Sequence, residues 1–188
     1  FLDHPNGFAN PVWWRGIESK KRNPGEARRP YDNYPRDSVS WYDAIAFCRW
    51  LSDALGCEIT LPTEQQWQWA AQNGPERREY PWGPWDGRRC NTYEAGIGRS
   101  TAVGMYPAGA TPAGLLDMSG NVWEWTRTRY RPYPYRPADG RNEPEAEGMP
   151  VVRGGSWGNG PRYARCAVRY GYVPGSFNDS FGVRVVVS

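Results

Sequence analysis

An α+β fold is what these 188 residues predict, and three observations carry the expectation. Two capped helical segments stand early in the chain, only short strand-like segments follow them, and aromatics and turn formers fill the rest. With 11 Trp, 12 Tyr, 22 Gly and 18 Pro, the chain points away from a helical bundle and toward irregular segments pinned by rings.

Residues 1–37 carry turn formers and charge clusters without periodicity, which reads as a long surface loop anchored by Trp13 and Trp14. The stretch SWYDAIAFCRWLSDALG, from Ser40 to Gly56, is the clearest helix. Ser40 and Asp43 form a capping pattern, Ala44, Cys48, Leu51 and Leu55 share one face, and Gly56 stops it. CEITLP then reads as a short strand. PTEQQWQWAAQNG is a second helix, capped by Thr63 with Gln66 reaching back and terminated by Gly74. After Gly74 the segments TAVGMYP, NVWEWTR, PVVRGGSW, ARCAVRY and FGVRVVV read as strands of a small twisted antiparallel sheet. Between two of them, TRYRPYPYRPADGRNEPEAEGMP is a proline-punctuated loop too long to be retained unless it packs or has a role.

No composition break divides the chain, so residues 1–188 read as a single domain. The net charge of +3 is spread out, without the cationic stripe that a phosphate backbone requires, which argues against nucleic acid as a partner. No apolar run approaches the roughly 20 residues of a membrane span, and no signal peptide is visible. A cytoplasmic protein without a membrane partner is therefore expected, of oligomeric state the sequence does not set. Cys48, Cys57, Cys90 and Cys166 are too unevenly spaced for a disulfide framework or a zinc knuckle and read as buried free thiols. The start at Phe1 without Met reads as a fragment.

The segments DNYPRDSVSWYDAIAFCRWLS, LPTEQQWQWAA, YPWG, GLLDMSGNVWEWT, VVRGGSW and GVRVV follow one another in an order that resembles the formylglycine-generating enzyme (sulfatase-modifying factor) family. That resemblance runs from about residue 30 to residue 188. It implies a C-type lectin fold with two helices, a small sheet and long loops, and further N-terminal strands before the position of Phe1.

Family members that oxidise a sulfatase cysteine bind copper(I) through two cysteines after the RGGS motif, a suitable pairing of a soft ion with thiolates. Here that region holds Gly158, Asn159, Gly160 and Tyr163, and only Cys166 remains, in a strand separate from the copper pair. His4 is the single histidine, and no H-E-x-x-H or phosphate-cradling loop occurs. No catalytic residue is therefore assigned. A copper-dependent oxidase of this fold, or an accessory domain of a sulfoxide synthase, is the runner-up.

A hard cation is the remaining cofactor candidate. The side chains of Asp117 and Glu124 and the carbonyls of Gly120 and Val122 offer oxygen ligands at a tight turn, which suits calcium. The resemblance implies a structural calcium at these four positions and a second site beginning at Asn91, where the following loop is shorter than in the enzymes. The competing reading is that Glu124 caps a turn or pairs with an arginine.

Residues 158–188 contain no Lys, Glu, Gln, Met or Trp, although those types make up 31 of the first 157 residues. Codons of the form NNC, produced when both adenines of AAC are replaced, omit just those five. The segment thus resembles the variable region of a diversity-generating retroelement protein, in which a C-type lectin scaffold carries mutated AAC codons near its C-terminus. The candidate ligand-binding residues are Gly158, Asn159, Gly160, Tyr163, Tyr170, Gly171, Tyr172, Val173, Ser176, Asn178 and Ser180, interleaved with scaffold-type Arg162, Arg165, Cys166, Arg169, Phe177 and Phe181. Rigid tyrosines beside adaptable Gly, Ser and Asn are the composition of antibody binding loops. The expected function is non-enzymatic recognition of a protein or other macromolecular ligand; ordinary loop composition is the competing explanation.

Overall fold

Helix α1, Trp41–Leu55, begins on the reciprocal cap expected of it. The Asp43 N–H donates to Ser40 Oγ at 3.1 Å and the Ser40 N–H to Asp43 Oδ2 at 2.9 Å. Gly56 closes the helix at φ 65°, a left-handed conformation that costs glycine little. The helix buries Trp41, Ala44, Ile45, Ala46 and Cys48, while Leu51 is half-buried and Leu55 exposed, so the apolar stripe stops a turn before the helix does. The computed structural model describes residues 1–23, 25–136, 138–143 and 146–187.

Strand β1, Ile59–Thr60, leads into helix α2, Glu64–Ala71. Thr63 and Gln66 cap α2 reciprocally, at 3.1 Å and 2.8 Å. The helix ends before Gly74, and Asn73 already takes a left-handed φ of 58°. Beyond it lie β2 (Trp123–Arg129), β3 (Pro150–Arg153), β4 (Arg169–Gly171), β5 (Phe181–Val183) and β6 (Val186–Val187), linked by loops and short 3-10 turns.

The main sheet has the order β4-β3-β2-β5. It is not wholly antiparallel as expected: β2 runs antiparallel to β3 but parallel to β5. A parallel neighbour requires a long return path, which residues 172–180 supply. A separate pair joins β1 to β6 antiparallel. Two expected strands shrink for local reasons. TAVGMYP turns instead, because the Gly104 N–H is taken by Asp117 Oδ2 at 2.7 Å rather than by a neighbouring strand. ARCAVRY enters the sheet only at Arg169, since the Cys166 N–H goes to the Glu79 carbonyl at 2.8 Å and the Ala164 carbonyl accepts from Ser119 Oγ at 2.6 Å.

Helix α1 packs Trp41, Ala44, Ile45 and Cys48 against Leu61, Trp123, Trp125, Val152 and Phe181. Trp125 stacks on Phe181 at 5.1 Å, and its indole N–H donates to the Val39 carbonyl. Trp13 and Trp14 do anchor the N-terminal segment, against Ala46 on α1. The long loop packs as well: Arg141 is buried, and its carbonyl accepts from the Arg129 N–H at 2.6 Å. Pro137, Pro144 and Glu145 of that loop, like Pro24 and Ser188, lie outside the described residues. Among the described residues no helix is long and apolar enough to cross a membrane.

Candidate ligand-binding face

Within residues 157–180 only Ala164 and Cys166 are buried, so side-chain burial gives this segment little to hold it. Its backbone supplies the anchor. The Asn159 carbonyl accepts from Tyr93 N–H, the Pro174 carbonyl from Trp41 N–H, the Asn178 carbonyl from Ser38 N–H and the Ser180 carbonyl from Trp123 N–H, at 2.7–3.1 Å. In the other direction, Tyr172 N–H donates to the Pro150 carbonyl at 3.0 Å. Each of these bonds uses main-chain atoms, so it survives a change of side chain. Ala164, Cys166 and Phe181 are buried and complete the hold.

This anchoring leaves an open groove of about 530 Å³. Trp123, Val152, Trp157 and Phe181 lie along it, with Tyr163, Tyr170 and Tyr172. Gly158, Asn159, Asn178 and Ser180 complete the sequence-selected residues that line it. Tyr170 is 45% exposed and meets Trp123 edge-on at 5.6 Å; Tyr172 is 40% exposed and leans on Phe181 at 4.6 Å. Tyr163 is half-buried, its hydroxyl accepting from Arg162 Nη2 at 2.7 Å. The rings are thus supported on one side and open on the other, an arrangement that costs little entropy when a ligand arrives.

Other sequence-selected residues behave differently. Asn159 Oδ1 accepts from Trp123 Nε1 at 2.8 Å and from Ser156 Oγ at 2.7 Å, so its side chain pins the groove. A Cβ on Gly171 would lie 2.9 Å from Tyr130 Cβ, which closes that position to larger residues unless Tyr130 moves. Gly160 faces Glu94, while Val173 is exposed and Ser176 half-buried outside the groove lining. Phe177, assigned to the scaffold from sequence, is instead exposed, as are Arg162 and Arg165. Sequence reasoning missed Trp123, Val152, Ser156, Trp157 and Asp179 as lining residues; Trp123, two positions from Trp125 on the same strand face, was the available signal.

Arg169, by contrast, belongs to the frame. It donates from Nε and Nη2 to the two oxygens of Glu64, each at 2.7 Å, and so ties β4 to α2. Arg141 Nη1 lies 3.9 Å from the same carboxylate. Arg153, fully buried, donates from Nη2 to Gln68 Oε1 and the Cys166 carbonyl, and burial pulls its pKa down to about 10.

The residues suggested for calcium divide into two groups. Glu124 accepts from Arg184 through both oxygens and from Trp67 Nε1 at 2.7 Å, so a guanidinium already neutralises it. Asp117 Oδ2 accepts from Gly104 N–H, and burial raises its pKa. The turn that joins Asp117 to Glu124 also contains Gly120 and Val122, and a calcium ion there would share the Glu124 carboxylate with Arg184. Asn91 differs, because its Oδ1 is buried without a hydrogen-bond partner. The turn itself is tightly built: Gly120, at φ 80°, would place a Cβ 2.3 Å from the Asn91 carbonyl.

Cys48, Cys90 and Cys166 are buried and free, and burial pushes each thiol up to about 12; Cys57 is exposed, contrary to expectation. Cys166 is therefore a protonated structural thiol at neutral pH.

Comparison with known proteins adds three findings. The family described as sulfatase-modifying factor enzyme 1-like domain matches residues 6–188. The inactive C-alpha-formylglycine-generating enzyme 2 of Bos taurus is 32% identical over 92% of this chain, and the formylglycine-generating enzyme of Streptomyces coelicolor 33% over 94%. The chain spans 58% and 61% of their respective lengths. Treponema denticola variable protein 1 shares the fold, with a TM-score of 0.71 at 21% identity over 93% of this chain and 79% of that one.

Proposed function

The chain belongs to the sulfatase-modifying factor enzyme 1-like family, and from that premise we propose that it is a non-enzymatic member whose segment 158–180 binds protein or other macromolecular surfaces. The observation carrying this reading is that the groove-lining segment is held by its main chain while Tyr170 and Tyr172 stand open beside it. A frame built this way tolerates exchange of the displayed side chains, which is what retroelement diversification needs. The resemblance to a variable protein in fold, and to a relative described as inactive in sequence, supports the same direction.

The oxidase alternative needs two thiolates after Arg153-Gly154-Gly155-Ser156. The positions there carry Gly158 and Tyr163, and Cys166 is sealed and protonated, so the residues present do not fit copper(I). The test lies in the genomic DNA downstream of this gene. A near-copy of its 3′ end with AAC at the codons for the exposed tyrosines and small polar residues of 158–180, next to a reverse transcriptase, supports the proposal. Absence of such a template, with identical 158–180 sequences across populations, overturns it.

A further inference from the structure

A second cleft lies away from the tyrosine face, between α2 and the segment 133–135, with a volume of about 300 Å³. Its walls include two of the most exposed rings in the molecule, Trp69 at 58% and Tyr133 at 59%. Two such rings facing one concave cleft offer a ligand stacking surface beside polar groups.

Both rings are held in place. Trp69 sits over Gly74, where a Cβ would lie 3.1 Å from the indole, so only a residue without one admits the ring comfortably. Tyr133 rests on the Arg169 guanidinium at 4.8 Å, and Tyr135 beside it rests on Arg141 at 4.7 Å while its hydroxyl accepts from Asn142. Between the walls run the amides of Gln65, Gln68 and Gln72 on α2. Gln68 Nε2 donates to Gln72 Oε1 at 3.1 Å, and Gln72 Nε2 to the Gly74 carbonyl at 3.0 Å. Each of those amide nitrogens keeps a second N–H, and Gln65 is exposed.

Charge narrows the ligand. The Glu64 carboxylate in this cleft is matched by Arg169, so it has little pull on a cation. Arg141 Nη1 is sealed from solvent and offers an anion no handle. What the cleft presents is uncharged: ring faces for C–H surfaces, and amides and phenols for hydroxyls. An extended proline-rich peptide would need an apolar floor, where this one is made of amides. We propose that the cleft between Trp69 and Tyr133 is a binding site for a neutral saccharide, independent of the 158–180 face.

The test is an NMR titration of the whole chain with maltotriose, cellotriose and tri-N-acetylchitotriose, following indole and glutamine side-chain N–H signals. One of these probes is expected to shift the Trp69 indole and the Gln65, Gln68 and Gln72 amides together. Trp69→Ala should weaken that binding about tenfold, the effect of losing one anchoring ring. Trp69→Phe, which keeps a ring, should restore most of it, and Tyr170→Ala should leave it unchanged. The proposal is overturned if none of the probes shifts these signals at millimolar concentration, if the shifts fall on the 158–180 groove, or if a polyproline peptide alone moves the same amides.

Discussion

Replacing Glu64 by Gln removes one negative charge and almost nothing else. The carboxylate takes two hydrogen bonds from Arg169 at 2.7 Å and lies 3.9 Å from Arg141. It also bears electrostatically on buried Arg153. The amide can accept on one atom only, and its NH₂ would face a guanidinium. Removing one partner of a buried pair costs about 3–5 kcal/mol, against a total stability of roughly 5–15 kcal/mol for a domain. At this chain length each kcal/mol moves the melting temperature by about 2–4 °C, so a fall of roughly 6–20 °C is expected. Scanning calorimetry at neutral pH measures it, with Arg28→Gln as the control. The exposed Arg28 side chain pairs with Asp179 at 3.5 Å at the surface, where an ion pair contributes little, so that variant should melt like the parent. If Glu64→Gln melts with the control, the network does not hold α2 to β4, and the rigidity argued for the tyrosine face loses its base.

Thiol chemistry gives a second prediction. Native protein at pH 8 should react with Ellman's reagent at Cys57 alone, and all four cysteines should react in denaturant. The three buried thiols have folded pKa values of about 12, above an ordinary value near 9. The stability they contribute is fully present below pH 9 and lost as pH rises toward 12, so denaturant midpoints should fall across that window. Gly171→Val should destabilise by about 1–3 kcal/mol through overpacking against Tyr130, whereas Gly158→Ser should be neutral in the same urea titration. Calcium in place of EDTA should leave the melting temperature unchanged while Arg184 holds Glu124. A rise saturating at one ion per chain would show that the ion displaces the arginine.

Much of the frame was legible because it is local. Capping pairs such as Ser40 with Asp43 and Thr63 with Gln66 depend on residues three apart and appear in the structure as read. The parallel pairing of β5 with β2 was not legible, since it depends on where the excursion through residues 130–180 returns rather than on any periodicity. At the face, composition singled out the segment, but not which side chains are free. Asn159 and Gly171 look like equivalent variable positions in sequence. Only tertiary contacts, with Trp123 and Tyr130, turn them into fixed ones. Phe177 failed the other way, because an aromatic among small residues reads as core and here projects outward.

The most direct measurement randomises two sets of codons in display format and counts folded clones by protease resistance. One set is Gly158, Tyr163, Tyr170, Tyr172, Val173 and Ser180; the other is Asn159, Cys166, Arg169, Gly171 and Phe181. Most clones of the first library should stay folded and most of the second should be cleaved. Equal losses in both libraries would contradict a main-chain-anchored frame carrying interchangeable side chains.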